Sequence, residues 1–369
     1  MQANLLASFS SVMSTIGYVL LAILVLLVMI TVHEFGHYIM GKIFKFKIEE
    51  FAIGFGPKIF SKTKKNGEKF SIRLFPLGGF CSFAGEDEDL ETEGAFNKKH
   101  PFKRIMVLIS GALMNYILAL IIICITFGAY GRSALLVCDV QNDQTYISYS
   151  LQEGDAILEV NGKKTYMLTD IMSGIENKKE GDIVDFTIFR DGKIQNVEVK
   201  LRQDTNFANL EDISTLCKSL GTYTEKDGQK YSAFLTTGVR LGFFQTIGES
   251  FNYSFKLAGT IFSVIGQLFT GRLGISSMGG TITTISMTAE GIKTGGLWFL
   301  LNMTSLIGVN LAVFNLLPIP ALDGSRVVFT LIEWIRKKPL NRKVEGAIHM
   351  IGLVLLLLFS IFIDLQRCF

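Results

Sequence analysis

His33-Glu34-Phe35-Gly36-His37 sets two imidazoles four residues apart, with a carboxylate beside the first. On an α-helix, positions i and i+4 share a face, so both rings can approach one ion. This H-E-x-x-H spacing is the pattern of a zinc site served by a glutamate base, and Glu34, on the adjoining ridge, is placed to take a proton from an attacking water. The competing reading is a chance match at a helix end, with His33 and His37 as interfacial polar residues. Against it, two of the four histidines in the chain fall in this pentapeptide, and ionisable groups at the end of a charge-free apolar run are costly to keep. Catalytic zinc takes three protein ligands and keeps one position open. His100 lies in a basic loop and His349 stands alone at the start of the last apolar run, so both suit poorly as the third. Asp323 suits better. It follows Asn315-Leu-Leu-Pro-Ile-Pro-Ala-Leu-Asp-Gly324 at the end of an apolar run, where Pro318 and Pro320 end regular helix and let the chain turn. Without the histidine motif, Asp323-Gly324 would read as a loop turn.

The elements that carry these residues are apolar. Of 369 residues, 49% are hydrophobic and 19% charged, against about 25% charged in a soluble domain, and the mean hydropathy is +0.38. Disorder is excluded by that apolar content. A net charge of +3 gives no footing for a nucleic-acid binder. Charge is absent from residues 1–32, 105–131, 294–322 and 346–363, and about 20 apolar residues suffice to cross the hydrocarbon core. These runs predict a polytopic α-helical membrane protein with about four transmembrane helices, near 16–40, 105–128, 295–317 and 346–363. The first run lacks a basic leader and a small-residue cleavage site, so it reads as a retained helix rather than a signal peptide. Five scattered cysteines without a CxxC argue against a disulfide scaffold or a thiolate metal site.

Basic residues orient the spans. Segment 41–104 carries 13 Lys+Arg and segment 319–346 carries six, whereas the 132–293 connection holds 16 against 19 Asp+Glu with few near its ends. The positive-inside rule then places 41–104 and 319–346 in the cytoplasm and 132–293 outside. The first and third spans run in the same direction, so His37 and Asp323 come to the same cytoplasmic face. A first membrane half (1–131), an outer domain (133–202), an outer linker with an interfacial helix (203–293) and a second membrane half (294–369) follow. Within the outer domain, Glu153–Gly162 reads as a strand with an Asn-Gly turn, Tyr166–Asn177 as a short helix, and Asp182–Arg190 with Ile194–Leu201 as a hairpin around Asp191-Gly192. Residues 203–238 are polar and irregular and are assigned no fold. Segment 241–270 has apolar residues at near-helical spacing but includes Glu249 and Lys256, which favours the membrane interface over a fifth span.

Together these residues resemble the site-2 protease family of intramembrane zinc metalloproteases. H-E-F-G-H ends the first apolar run and N-L-L-P-I-P-A-L-D-G ends a later one. Phe75-Pro-Leu-Gly-Gly-Phe80 with Gly85-Glu86 looks like the family's membrane-associated β-hairpin, Glu153–Gly162 is similar to its extracytoplasmic PDZ domain, and Pro339–Glu345 resembles its lead-in to the last span. A single PDZ-like α/β unit suggests the shorter type, similar to the regulated intramembrane protease of Gram-positive bacteria. The family's G-P-x-x-N is here Gly111-Ala-Leu-Met-Asn115, its G-P-I is Gly279-Gly280-Thr281, and the glycine often following D-G is Ser325. The resemblance implies zinc held by His33, His37 and Asp323, with Glu34 as general base. It also implies that Asn315 positions the peptide or stabilises the oxyanion, with capping or packing as the alternative, and that Asn115 acts similarly. A hairpin at Ser71–Phe83, including Gly78 and Gly79, would add an extended substrate as an extra strand; these glycines serve equally as turn residues. The implied substrates are single-span membrane proteins, such as anti-sigma factors or remnant signal peptides, cut in the bilayer of a bacterial cell membrane with the active site toward the cytoplasm.

Other classes compete. An inert membrane-anchored PDZ scaffold would not need both metal motifs. A transporter would show paired hydrophobic repeats, and no convincing repeat relates the four runs. A zinc protease of another class, with a soluble catalytic domain, would carry H-E-x-x-H on a polar amphipathic helix, whereas here the motif follows an apolar run.

Overall fold

The computed structural model describes residues 2–86, 88–138, 151–175, 178–179, 181–201, 223–226, 229–232, 234–274 and 279–366. Cys217 and Cys368 lie outside them. In chain order the elements are α1 (Gln2–Ile43), β1 (Ile48–Thr63), β2 (Lys69–Phe83), α2 (Pro101–Tyr130), β3 (Arg132–Val137), β4 (Ala156–Val160), β5 (Lys163–Lys164), α3 (Leu168–Ile175), β6 (Ile183–Arg190), β7 (Lys193–Lys200), β8 (Tyr223–Lys226), β9 (Gln229–Ser232), β10 (Phe234–Val239), α4 (Phe243–Phe269), α5 (Thr281–Asn315), α6 (Asp323–Arg336) and α7 (Arg342–Gln366). They fall into two compact units, one of residues 1–123 with 254–369 and one of residues 124–253.

Among the described residues, four helices are long and apolar enough to cross a membrane: Met13–Ile43 of α1, then α2, α5 and α7. These are the four anticipated spans, and the chain is a polytopic membrane protein. The third differs in detail, because its helix begins at Thr281 and breaks at Gly296, whose φ of 58° and ψ of −143° are not helical. Only glycine adopts such a conformation at little cost. α4 does not qualify as a span among the described residues. Val25 and Met29 of α1 pack with Ile307 of α5, with Leu118 and Ile122 of α2 around them.

β1 and β2 are antiparallel. The chain reverses at Lys64–Glu68, where Gly67 has φ +84° and the Lys64 N–H donates to the Glu68 carbonyl at 2.8 Å. This corrects the hairpin placed at Ser71–Phe83, which lies within β2. Its two halves do not pair with each other. Ile72 faces Phe60 and Ile53, while Gly79 and Cys81 face Ile53 and Phe51. One turn stands at Asn66-Gly67, upstream of the expected hairpin, and the chain reverses again across Phe75-Pro-Leu-Gly, so that residues 51–53 lie between 70–72, which run parallel to them, and 79–81, which run antiparallel. Phe46, Phe51, Phe83, Phe96 and Val107 form the core that seats this sheet against α2, each such side chain contributing about 1.5–3 kcal/mol on burial.

Glu68, at the reversal, is 2% exposed and bonded by Lys42, Lys64, Tyr38 and Asn66. Burial by itself would raise its carboxyl pKa; the bonds from Lys42, Lys64 and Tyr38 outweigh it and hold the value at about 2. Its contribution is therefore present above the ordinary carboxylate range and lost as pH falls through about 2. Because both ammonium groups are partly solvated, Glu68→Gln should cost only about 1 kcal/mol at neutral pH. Thermal unfolding in detergent across pH checks this: the gap to wild type should close in acid.

The second unit is a six-stranded antiparallel sheet ordered β10-β3-β4-β6-β7, with β5 on β4. β4, α3, β6 and β7 fall where the sequence placed a strand, a short helix and a hairpin. Asp191 and Gly192 take φ of 50° and 78° at the hairpin turn, the conformation a two-residue turn requires. Its core includes Ile157, Ile171, Val184, Phe186 and Ile188. The buried Asp155 is gripped by Arg190 through two bonds of 2.7 Å. Residues 203–238, assigned no fold from sequence, contribute the β8–β9 pair and β10, and β10 pairs with β3 from Phe234↔Val137 to Val239↔Arg132. The sheet thus reaches beyond the 133–202 boundary. Its closing strand lies some 100 residues along the chain from its partner, which local patterning does not register.

Candidate metal centre and its surroundings

α1 carries His33 and His37 one turn apart, both 7% exposed. α2 crosses α1 closely at this level: a Cβ on Gly36 would stand 2.8 Å from the Ser110 carbonyl carbon and 2.9 Å from the Gly111 Cα. Small residues at such crossings let backbones meet. That approach brings the Val107 carbonyl within 2.8 Å of His37 Nδ1. A carbonyl only accepts, so Nδ1 carries a proton, and Nε2 is the nitrogen turned toward the other donor atoms. His37 Nε2 and His33 Nε2 lie 3.1 Å apart. Asp323 Oδ2 stands 2.9 Å from His33 Nε2 and 3.3 Å from His37 Nε2. Among the described residues, His33, His37 and Asp323 form a group able to hold a metal ion, their donor atoms all within 4.8 Å of one another.

The donor set fits zinc, which binds imidazole nitrogen and carboxylate oxygen. The Val107 carbonyl behind His37 is the kind of outer partner that orients a metal-binding imidazole. Burial alone would push the Asp323 carboxyl up, but His37 and His33 hold it well below the usual carboxylate range, so it presents an anionic oxygen.

Asp323 arrives from a tightly turned segment. α5 ends at Asn315, and the Leu316 and Leu317 amides donate to Val313 and Phe314. Pro318 and Pro320 prevent the helix from resuming. Ala321 takes a φ of +80°, and its N–H donates to His349 Nδ1 at 3.1 Å. Asp323 then opens α6. His349 thus supports the loop that delivers Asp323, a role the sequence reading missed. The signal was an imidazole in the charge-free run 346–363.

The last part of β2 forms a wall beside Glu34, whose carboxylate is hydrogen-bonded to the Cys81 backbone. Gly79 adjoins it; a Cβ there would lie 3.5 Å from Glu34 Cγ and 2.8 Å from the Ala52 carbonyl oxygen. A Cβ on Gly78 would run into the Phe55 ring. A cavity of about 560 Å³ opens here, lined by Glu34, His37, Phe80, Asp323, Arg326 and Met350 among others. Glu86 and Arg326 are ion-paired and both line it. Burial pushes the Cys81 thiol pKa up, which keeps that lining residue protonated. Asn315 and Asn115 place their amide nitrogens 3.4 Å and 3.5 Å from His33 Nδ1. Of the residues anticipated from sequence, the fold thus gathers His33, Glu34, His37, Asp323, Asn115, Asn315 and Gly79 in one place. Gly78 packs one residue further along β2. His100 packs against Trp334 instead, with ring centroids 5.5 Å apart.

Relatives share this chain almost end to end. A protein of Clostridium perfringens named "Putative zinc metalloprotease" is 30% identical over 353 residues, spanning 95% of this chain and 98% of its own. Two others bear the same name. One from Fusobacterium nucleatum is 31% identical over 94% of this chain and 97% of its own, and one from Bartonella henselae 28% identical over 91% and 97%. The model of peptidase family M50 matches residues 21–359. That range holds the H-E-x-x-H motif, the Asp323 loop and most of the four apolar spans, so the chain belongs to peptidase family M50, the site-2 protease family, and is a membrane-embedded zinc metallopeptidase.

Proposed function

We propose that this chain cleaves peptide bonds within the transmembrane segments of single-span membrane proteins, as in regulated intramembrane proteolysis of anti-sigma factors or clearance of remnant signal peptides. The observation that carries the reading is the meeting of His33, His37 and Asp323 at the end of an apolar membrane helix, with Glu34 in the same cavity. His33, His37 and Asp323 would hold the zinc, leaving a position open. When bound, zinc polarises the scissile carbonyl and makes water a nucleophile near neutral pH. Glu34 accepts the proton of the attacking water and returns it to the leaving amine. Its bond to the Cys81 backbone fixes where that proton is taken. Asn315, partly exposed at the end of α5, orients the peptide carbonyl. A substrate helix must unwind first, since its carbonyls are otherwise hydrogen-bonded, and β2 around Gly78 and Gly79 offers an edge on which the extended segment can pair.

The excess of Lys and Arg in 41–104 and 319–346 supports a cytoplasmic position for both segments, and so for the metal centre, in a bacterial cell membrane. Segment 133–202, PDZ-like by the resemblance that Glu153–Gly162 carries, lies outside. It therefore supplies no catalytic residue and acts as a size filter against substrates whose outer portion is untrimmed.

Zinc determination on the detergent-purified protein and on His33→Ala tests the central reading: wild type should hold about one zinc and the variant little. A wild type without zinc, inactive on every single-span substrate when zinc is added, would overturn it. For the filter, replacing 133–202 by a linker should preserve cleavage of a trimmed single-span substrate and admit the untrimmed form. Loss of trimmed-substrate cleavage in a zinc-loaded preparation would instead make this segment a substrate recruiter.

A further inference from the structure

Val107, Gly111 and Asn115 are spaced at i, i+4 and i+8 on α2, which puts them on one face. All three meet the two imidazoles. The Val107 carbonyl accepts from His37 Nδ1 at 2.8 Å. A Cβ on Gly111 would stand 2.7 Å from Cε1 of both His33 and His37, so the missing side chain is the space the rings occupy. Asn115 reaches His33 Nδ1, its amide nitrogen 3.5 Å away. The side chain is 0% exposed, and its Oδ1 is buried with no hydrogen-bond partner.

Which end of a buried amide faces a ring nitrogen goes with the tautomer of that ring. Turning the amide by half a rotation exchanges Nδ2 and Oδ1, which differ little in size. Oδ1 then faces His33 Nδ1 and accepts its proton. That sets the His33 tautomer with its lone pair on Nε2, the nitrogen 2.9 Å from Asp323. The Val107 carbonyl likewise keeps a proton on His37 Nδ1.

We infer that Asn115 is a positioning residue for the metal centre, holding His33 in its metal-binding tautomer through Nδ1–H···Oδ1, as the Val107 carbonyl does for His37. The inference rests on the zinc reading above and departs from the peptide-binding role implied by resemblance. A fully buried side chain cannot reach a substrate. Asn315, partly exposed and also near His33 Nδ1, is the asparagine free to turn toward one. The family's proline, absent from Gly111-Ala-Leu-Met-Asn115, is not needed for this role, which uses the glycine and the asparagine alone.

The test is zinc affinity, by chelator competition on the full-length detergent-purified protein, for wild type, Asn115→Ser, Asn115→Asp and Asn315→Ala. Serine is too short to reach His33 and is tolerated inside membrane helix bundles. Loss of an outer partner of this kind weakens metal affinity by about 10–100-fold, and Asn115→Ser should show a loss of that size. Aspartate keeps the acceptor and should recover most of it. Asn315→Ala should retain wild-type affinity while losing turnover. Unchanged affinity in Asn115→Ser would overturn the inference, as would a serine-sized loss in Asn115→Asp, since a space-filling role predicts no rescue by an acceptor. A loss confined to Asn315→Ala would assign the tautomer to the other asparagine. Absence of zinc from wild type would be the distinct failure of the zinc reading itself.

Discussion

Glu34→Gln should lower kcat by about 10²–10⁴-fold, to the detection limit of most membrane-protease assays, while zinc content and thermal stability stay at wild-type values. Glutamine keeps the shape of the side chain and an oxygen for the Cys81 backbone bond, but it has no basic lone pair with which to take a proton. It also removes no donor from the His33, His37 and Asp323 group. The measurement is single-turnover cleavage of a single-span substrate in detergent, with zinc determined on the same sample. Near-normal turnover by the variant would mean that another group moves the proton.

Asp323→Ala should lose both zinc and activity. The carboxylate is the sole acidic member of the group, and its Oδ2 faces both imidazoles at 2.9 and 3.3 Å. Two histidines alone leave zinc a ligand short of the three it takes at catalytic sites. The drop in affinity should therefore exceed the about 10–100-fold typical of an outer partner. Asp323→Asn, which leaves an uncharged oxygen in place, should fall between alanine and wild type. Zinc determination after dialysis against a weak chelator checks the order. Full zinc retention in Asp323→Ala would place the third ligand elsewhere.

What the sequence determined by itself is what neighbours along a chain can carry. His33 and His37 must share a face because a helix repeats every 3.6 residues, and Glu34 must sit beside them. Four charge-free runs must cross a bilayer because no other element satisfies its backbone in hydrocarbon, and the four long apolar helices follow. Asp191-Gly192 had to be a turn between alternating strands, and so it is. Even Asp323 could be singled out, because two prolines free the chain just before it.

Tertiary structure decided the rest. The carbonyl behind His37, the amide behind His33 and the Gly36–Gly111 crossing that sets both depend on how two helices 70 residues apart in sequence meet. The Cys81 backbone beside Glu34 depends on residues 51–53 pairing between the two halves of the expected hairpin, a long-range register that keeps those halves apart. His349 supports the Asp323 loop from a helix whose composition marks only its apolarity. β10 closes the sheet on β3 from a stretch with no clear alternation. Periodicity and turn chemistry act over a few residues and leave their mark in the chain. The partners of a buried ring nitrogen or of a sheet edge are chosen by packing between distant segments, and a single sequence does not encode that choice in any local pattern.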